Sequence, residues 1–180
     1  YPALDMPYHD RGLRFRESYA YIRNMAQERP DFENAFGRVG GGIDMLPQPT
    51  RSKLALLITG GSQQSPDWLA RNGDGWITYP RNVAAQAQVV QDYRARLAVG
   101  GQPNKPVIQS LYIDLVENDD APPKPIHLGF QSGAAFLCQY LSELRTLGIN
   151  HVALNLRFNQ SDPEQTLKRL AKDVLPGLNP

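Results

Sequence analysis

The sequence is poor in the features that mark several large classes of protein. It has one cysteine, Cys138, so no disulfide can form within the chain, which fits a reducing compartment. No stretch approaches the roughly 20 apolar residues that cross a bilayer. The formal net charge is +1 and the basic residues are scattered, which disfavours nucleic acid as a partner. We therefore expect a cytoplasmic protein that binds neither membranes nor nucleic acid.

Signatures of self-contained catalysis are also missing. The three histidines, His9, His127 and His151, are isolated from one another, so the prediction for metal ligands is none. There is no P-loop lysine, no GxGxxG fingerprint, no GxSxG elbow and no Ser/His/Asp set. The catalytic residues are therefore unknown at this level, and a bound cofactor would have to carry the chemistry.

What the sequence does contain is an alternation of apolar runs and amphipathic stretches. Strands are predicted at residues 54–58, 75–78, 107–116 and 151–158, each followed by a helix, and one more helix precedes them near residues 10–28. The continuous apolar run at 54–58 is typical of a strand covered on both faces. Ser132 is a candidate cap for the helix after the third strand. This order predicts an α/β protein with a parallel sheet.

Residues 30–53 interrupt the alternation. They are rich in glycine and proline and are predicted to form a long irregular insertion. Four strands are too few for a complete (β/α)8 barrel, so a small open sheet remains an alternative at this point.

The candidate binding residues follow the strands, because ligands of parallel α/β proteins meet the carboxyl ends of strands. The first set of candidate cofactor-binding residues follows the first strand and consists of Gly60, Gly61, Ser62 and Gln63. The glycines would let a ligand approach the backbone, and a flexible strand-to-helix turn is the alternative explanation. A second set is predicted to bind substrate or an anion near the mouth of the sheet: Tyr79, Arg81, Asn155 and Arg157. Asn155 and Arg157 would share one strand face, with a salt bridge as the alternative role for the arginine.

Three segments resemble one family. They are DRGLRFRESYAYIR at residues 10–23, LLITGGSQQSPDWLARNGDGWI at 56–77 and LGINHVALNLRF at 147–158. Together they resemble the luciferase-like flavin monooxygenases, which include bacterial luciferase. The resemblance implies a (β/α)8 TIM-barrel fold of which this chain, as a single domain over 1–180, would be only the second half, with about four strand–helix units.

The resemblance also implies a function. The cofactor would be FMN, with a deazaflavin in one branch of the family, and Gly60, Gly61, Ser62 and Gln63 would border the flavin or its phosphate. The expected activity is that of an FMN-dependent oxidoreductase or monooxygenase on a small organic substrate, in a homo-oligomer or with a missing N-terminal half that would hold the catalytic residues. A non-catalytic half-barrel that assembles with a partner, and a deazaflavin-dependent reductase, are the alternatives.

Overall fold

The computed structural model describes residues 3, 6–40, 42–51 and 53–178. The helices of this part of the chain are α1 (Arg11–Met25), α2 (Pro66–Asn72), α3 (Val83–Val99), α4 (Ala134–Thr146) and α5 (Pro163–Arg169), the last continuing as a π-helical turn at Leu170–Val174. The strands are β1 (Phe32–Asn34), β2 (Gly37–Val39), β3 (Leu57–Thr59), β4 (Gly75–Thr78), β5 (Val107–Leu115), β6 (Lys124–Ile126), β7 (Gly129–Ser132) and β8 (His151–Asn155).

The principal sheet contains the four predicted strands in parallel. β3 pairs with β4, β4 with β5, and β5 with β8, which confirms the parallel α/β prediction. Tyr112 of β5 pairs with Gly129 of β7 and with Asn155 of β8, so β7 and β8 lie on opposite edges of β5. β7 therefore pairs with the same edge of β5 as β4 does, beyond Gln109, where the pairing with β4 ends.

The two faces of this sheet differ. Alternate residues of β5 are buried against α3 and α4 and form the core with residues of those helices: Val107, Gln109, Leu111, Ile113 and Leu115. The intervening residues face the other, concave side, which is only partly covered. In β3, Ile58 is 3% exposed while Leu57 is 36% exposed. The prediction that the first strand is covered on both faces is therefore wrong, because no layer of helices packs on the concave side within the described residues.

Two hairpins were not predicted. β1 and β2 form one inside the irregular insertion at 30–53, of which Gly41 and Ser52 lie outside the described residues. β6 and β7 form the other, between the third predicted strand and the helix that follows it.

The predicted Ser132 cap is also wrong. Gly133 is the N-cap of α4, and the Ser132 hydroxyl donates to the Gly133 carbonyl at 3.0 Å. A Cβ at Gly133 would lie 2.1 Å from the Asp119 carbonyl oxygen, so the close crossing of two backbones requires glycine here.

α1 is attached to the sheet through α2 and one carboxylate. Phe15 and Tyr19 contact Trp68 edge to face, with ring centroids 5.9 and 5.1 Å apart. Arg23 of α1 and Lys53 both pair with Asp74, which also accepts a hydrogen bond from the Leu56 N–H at 2.9 Å. No α1 side chain is fully buried, so these contacts set the position of the helix.

Candidate functional site

The loop after β3 has an unusual backbone. Gly60, Ser62 and Gln63 all adopt the left-handed conformation, with φ of +57°, +46° and +58°. For residues other than glycine this conformation costs roughly 1–3 kcal/mol, and such strain concentrates at functional sites. Within the described part of the chain, the backbone N–H groups of residues 61–63 donate no hydrogen bond to the protein. The loop therefore presents three free backbone donors at the carboxyl end of β3.

The β4 strand holds this loop in place. The Trp76 indole N–H donates to the Gly60 carbonyl at 2.9 Å, and the Gly60 N–H donates to the Ile77 carbonyl at 2.8 Å. The Tyr79 ring covers Gly60 so closely that a Cβ there would lie 2.8 Å from Tyr79 Cε2. Trp76 is thus a core residue whose polar edge fixes the loop.

Arginine side chains of α1 flank the same loop. The Arg11 guanidinium donates to Gln63 Oε1 at 2.9 Å, and Arg16 donates to Gln64 Oε1. The Gln64 carboxamide in turn donates to the Gly12 carbonyl at 2.8 Å, which joins α1 to the loop. Sequence reasoning missed Arg11 as a site residue, although it lies in the first of the three segments that resemble the family.

The concave face offers a shallow floor beside this loop. Ser110 of β5 pairs with Ala153 of β8 in register, so two small side chains lie side by side below the strand ends. The next pair on this face, toward the carboxyl ends of the strands, is Tyr112 with Asn155. Three strand spacings of about 4.8 Å separate β3 from β8, so the floor spans about 14 Å across the sheet.

An aromatic rim stands at the far side of the floor. Tyr112 contacts Phe158 and His127, with ring centroids 5.1 and 5.9 Å apart, and Arg157 lies 5.8 Å from the centroid of Phe158. The Asn155 side chain accepts a hydrogen bond from the Arg157 N–H at 2.9 Å. The structure therefore adds Tyr112, His127 and Phe158, which sequence reasoning missed because they come from three separate segments.

Two predicted residues are placed differently from expectation. β8 ends at Asn155, so Asn155 and Arg157 do not share a strand face, because Arg157 lies in the turn that follows. Arg81 turns away from the concave side: its Nη1 donates to Thr78 Oγ1 at 2.7 Å, to the Tyr79 carbonyl at 2.9 Å and to Gln86 Oε1 at 3.2 Å. Tyr79 borders the Gly60 loop, whereas Arg81 belongs to the other side of the sheet.

The described residues contain neither a metal-binding cluster nor a membrane-spanning helix. Nowhere in this part of the chain do three or more His, Cys, Asp or Glu side chains come together in a way that could hold a metal ion. None of its helices combines the length and the apolar character that spanning a membrane would require.

Comparison with known proteins identifies the family. The model of the luciferase-like monooxygenase family matches residues 3–121, which is well over half of the chain. The chain belongs to this family. The match includes the loop after β3, and it confirms the resemblance found in the sequence.

Solved structures extend the likeness to almost the whole chain. Monooxygenase RslO1 from Streptomyces bottropensis superposes with a TM-score of 0.78 at 16% identity, over 98% of this chain and 64% of that one. An F420-dependent secondary alcohol dehydrogenase in complex with an F420–acetone adduct gives a TM-score of 0.71 at 11% identity, over 97% and 64% of the two chains. A riboflavin lyase, RcaE, with modified FMN and riboflavin gives 0.62 at 12% identity, over 84% and 48%.

These similarities show the fold. The chain spans less than two thirds of the length of RslO1 and of the alcohol dehydrogenase, and the predicted partial barrel is confirmed. A sequence search of curated proteins found no match.

Proposed function

We propose that this chain supplies the loop and the concave floor of a flavin site in an oxidoreductase of the monooxygenase type that acts on a small organic substrate. The observation that carries the proposal is the strained loop at residues 60–63, with its free N–H groups at the carboxyl end of β3. Ligands of parallel α/β sheets bind at this end.

The loop suits the phosphate of FMN. Its unpaired backbone donors and the neighbouring Arg11 guanidinium provide hydrogen bonds and positive charge for an anion. Gly61 leaves room for close approach, because a Cβ at that position would meet nothing within 4 Å. The residues therefore fit the group that the family's usual cofactor carries.

The isoalloxazine ring would lie on the concave floor. Ser110 and Ala153 have side chains too small to prevent a planar ring from lying over them. The substrate would then meet the rim at Tyr112, Phe158 and Arg157, where aromatic faces and one cation are available. When bound, the reduced flavin supplies the electrons for the reaction, and the residues of this chain hold and orient it.

A deazaflavin is the second candidate for the cofactor. One structural neighbour is an F420-dependent enzyme, and nothing in the loop at residues 60–63 selects between the two ring systems. The visible absorbance spectrum of the purified protein separates the two cofactors.

A substitution at Gly61 tests the phosphate site without disturbing the fold. Because the added Cβ of Gly61→Ala would lie in open space, the free energy of unfolding should stay within about 0.5 kcal/mol of wild type. The same methyl group would meet a bound phosphate, so affinity for FMN should fall about tenfold or more. Affinity for riboflavin, which has no phosphate, should change much less. Both affinities are measured by quenching of flavin fluorescence.

Charge removal provides the companion test. Arg11→Gln should weaken FMN more than riboflavin, whereas Arg71→Gln, an exposed arginine on α2, should affect neither. If Gly61→Ala and Arg11→Gln both leave the ratio of FMN to riboflavin affinity unchanged, the loop does not bind the phosphate. If the purified protein binds neither flavin nor deazaflavin, the enzymatic proposal fails.

A non-catalytic assembly module is the other candidate function. Within the described residues β3 pairs only with β4 and β8 only with β5, so both outer edges of the parallel sheet are open and the concave face is partly exposed. Such edges pair readily with another chain or a second copy. Light scattering distinguishes this reading, since a stable oligomer without flavin absorbance would favour assembly over catalysis.

A further inference from the structure

A second cleft lies on the helix side of the sheet, opposite the proposed flavin floor. On one edge of β5, β4 pairs as far as Gln109 and β7 begins at Tyr112. The two strands therefore diverge, and a cleft of about 530 Å³ fills the wedge between them, with Leu111 in its lining. This volume is typical of sites for small molecules.

The wedge has one charged side chain and a largely apolar wall. Arg81 is the charged residue among those that line it, and no carboxylate is present in the lining. Tyr140 contributes a hydroxyl, and most other lining residues are apolar, among them Pro80, Leu111, Pro123, Pro125, Leu128 and Phe130. A cation at one point of an apolar wall matches a monoanion with an apolar body, since a dianion would meet too little positive charge.

Two fully buried carboxamides stand directly behind these polar groups. Gln86 Oε1 accepts from Arg81, and Gln109 Nε2 donates to the Tyr140 hydroxyl at 3.1 Å. Gln86 Nε2 and Gln109 Oε1 are buried and have no hydrogen-bond partner among the described residues. Buried polar atoms without a partner are rare in folded proteins, so a water or ion behind the cleft would be expected to complete their hydrogen bonds.

The donors that remain indicate the head group. Arg81 makes its three hydrogen bonds through Nη1, so its Nη2 and Nε donate to no group in the described residues. The Tyr140 hydroxyl accepts from Gln109 and keeps its own proton to donate. Arg81 donates to Thr78 and Tyr140 accepts from Gln109, and Thr78 pairs with Gln109 in register, so both polar groups lie over the same part of the sheet. A planar guanidinium edge and a phenol donor placed in this way are suited to a carboxylate.

We propose that this wedge binds a small carboxylate with an apolar or aromatic body, held by Arg81 and Tyr140 at its charged end and by Phe130 and the prolines along its length. The site is separate from the flavin floor, because Leu111 and Thr78 point to the helix side while Ser110 and Ile77 point to the concave side. The inference does not depend on the bound cofactor.

Calorimetric titration with benzoate, and with its neutral isostere benzamide, tests the proposal. Benzoate should bind the purified protein about tenfold or more tightly than benzamide. Tyr140→Phe should weaken benzoate about fivefold or more, and Tyr93→Phe, a matched removal of a buried hydroxyl elsewhere in the core, should not. Arg81→Lys, which keeps the charge but loses the planar edge, should also weaken benzoate.

Amide spectra locate the ligand and separate it from the flavin site. Benzoate should shift the side-chain ¹H–¹⁵N signals of Gln86 and Gln109 and leave that of Gln63 unchanged, and saturating FMN should not displace it. The proposal is overturned if benzoate does not bind, if benzamide binds equally well, if Tyr140→Phe has no effect, or if FMN competes with benzoate. Unchanged signals for Gln86 and Gln109 would also overturn it, since these carboxamides are hydrogen-bonded to Arg81 and Tyr140, which the ligand is proposed to contact.

Discussion

Replacing Asp74 by asparagine should remove the main electrostatic link between α1 and the sheet. The Asp74 carboxylate is 14% exposed and pairs with Arg23 and Lys53. It also accepts a hydrogen bond from the Leu56 N–H at 2.9 Å, and the Asp74 backbone N–H donates to the Leu56 carbonyl at 2.9 Å. Asparagine keeps the shape of the side chain and loses the charge. The substitution therefore isolates the electrostatic part of the link.

The pKa of Asp74 sets the size and the pH range of the effect. Burial alone would raise this pKa, but the hydrogen bonds from Lys53, Leu56 and Arg23 outweigh burial and lower it from 3.8 to about 2. At 1.36 kcal/mol per pH unit the upper limit is about 2.5 kcal/mol, and solvent screening of the exposed Lys53 reduces it to about 1–2 kcal/mol. Because the folded pKa lies below the unfolded value, this stabilisation is complete above about pH 4–5 and is lost as the pH falls toward 2.

Urea unfolding measures this loss of stability. Wild type and Asp74→Asn are compared from pH 7 down to the lowest pH at which both remain folded. The difference in the free energy of unfolding should be about 1–2 kcal/mol at pH 7 and should shrink below pH 4. Asp67→Asn, which removes the exposed partner of Arg96, is the control and should show little change at any pH. A difference for Asp74→Asn that is the same at pH 7 and pH 3 would refute the electrostatic account.

Three further substitutions have expected outcomes in thermal or urea unfolding. Gly60→Ala should cost about 2 kcal/mol or more, because φ is +57° and the Cβ would press on the Tyr79 ring, and a neutral result would contradict the loop geometry. Trp76→Phe should cost about 2–3 kcal/mol through the lost hydrogen bond and the lost buried area, and should also weaken flavin binding by loosening the loop. Tyr93→Phe should be neutral or stabilising by up to about 1 kcal/mol, since the buried Tyr93 hydroxyl has no partner in the described residues. By contrast, the Tyr140→Phe variant used above should cost about 1–3 kcal/mol, because it leaves the buried Gln109 carboxamide without its partner.

The sequence predicted the parallel strands because apolar runs and helix caps are local signals. Ser65 caps α2 through the Trp68 N–H and Pro66 occupies its first turn, as the residue types imply. The sequence did not predict β6, because a proline such as Pro125 argues against a strand. β6 lies at the edge of the sheet, where a missing N–H is tolerated, and Pro125 pairs there with Phe130.

The candidate site was predictable only where its residues are adjacent in the chain. The loop at residues 60–63 was identified from its glycines, whereas its flanking Arg11 comes from α1, 52 residues away from Gln63 in sequence. The rim formed by Tyr112, His127 and Phe158 depends on the register of β5 with β7 and β8, which no local pattern specifies. Arg81 was expected near the mouth of the sheet, but its guanidinium donates to Thr78 and Gln86 on the helix side, and no local pattern specifies these contacts.

The short segment at residues 79–81 borders both clefts. Tyr79 faces the concave side and covers Gly60, while Arg81, two residues later, reaches the helix side and donates to the Tyr79 carbonyl at 2.9 Å. A ligand that binds the Arg81 guanidinium in the wedge would compete for the hydrogen bond to that carbonyl, which belongs to the residue whose ring covers Gly60. Because FMN is not expected to displace benzoate, any coupling between the two clefts through this segment should be small. It must also be reciprocal: the factor by which benzoate changes the affinity for FMN equals the factor by which FMN changes the affinity for benzoate.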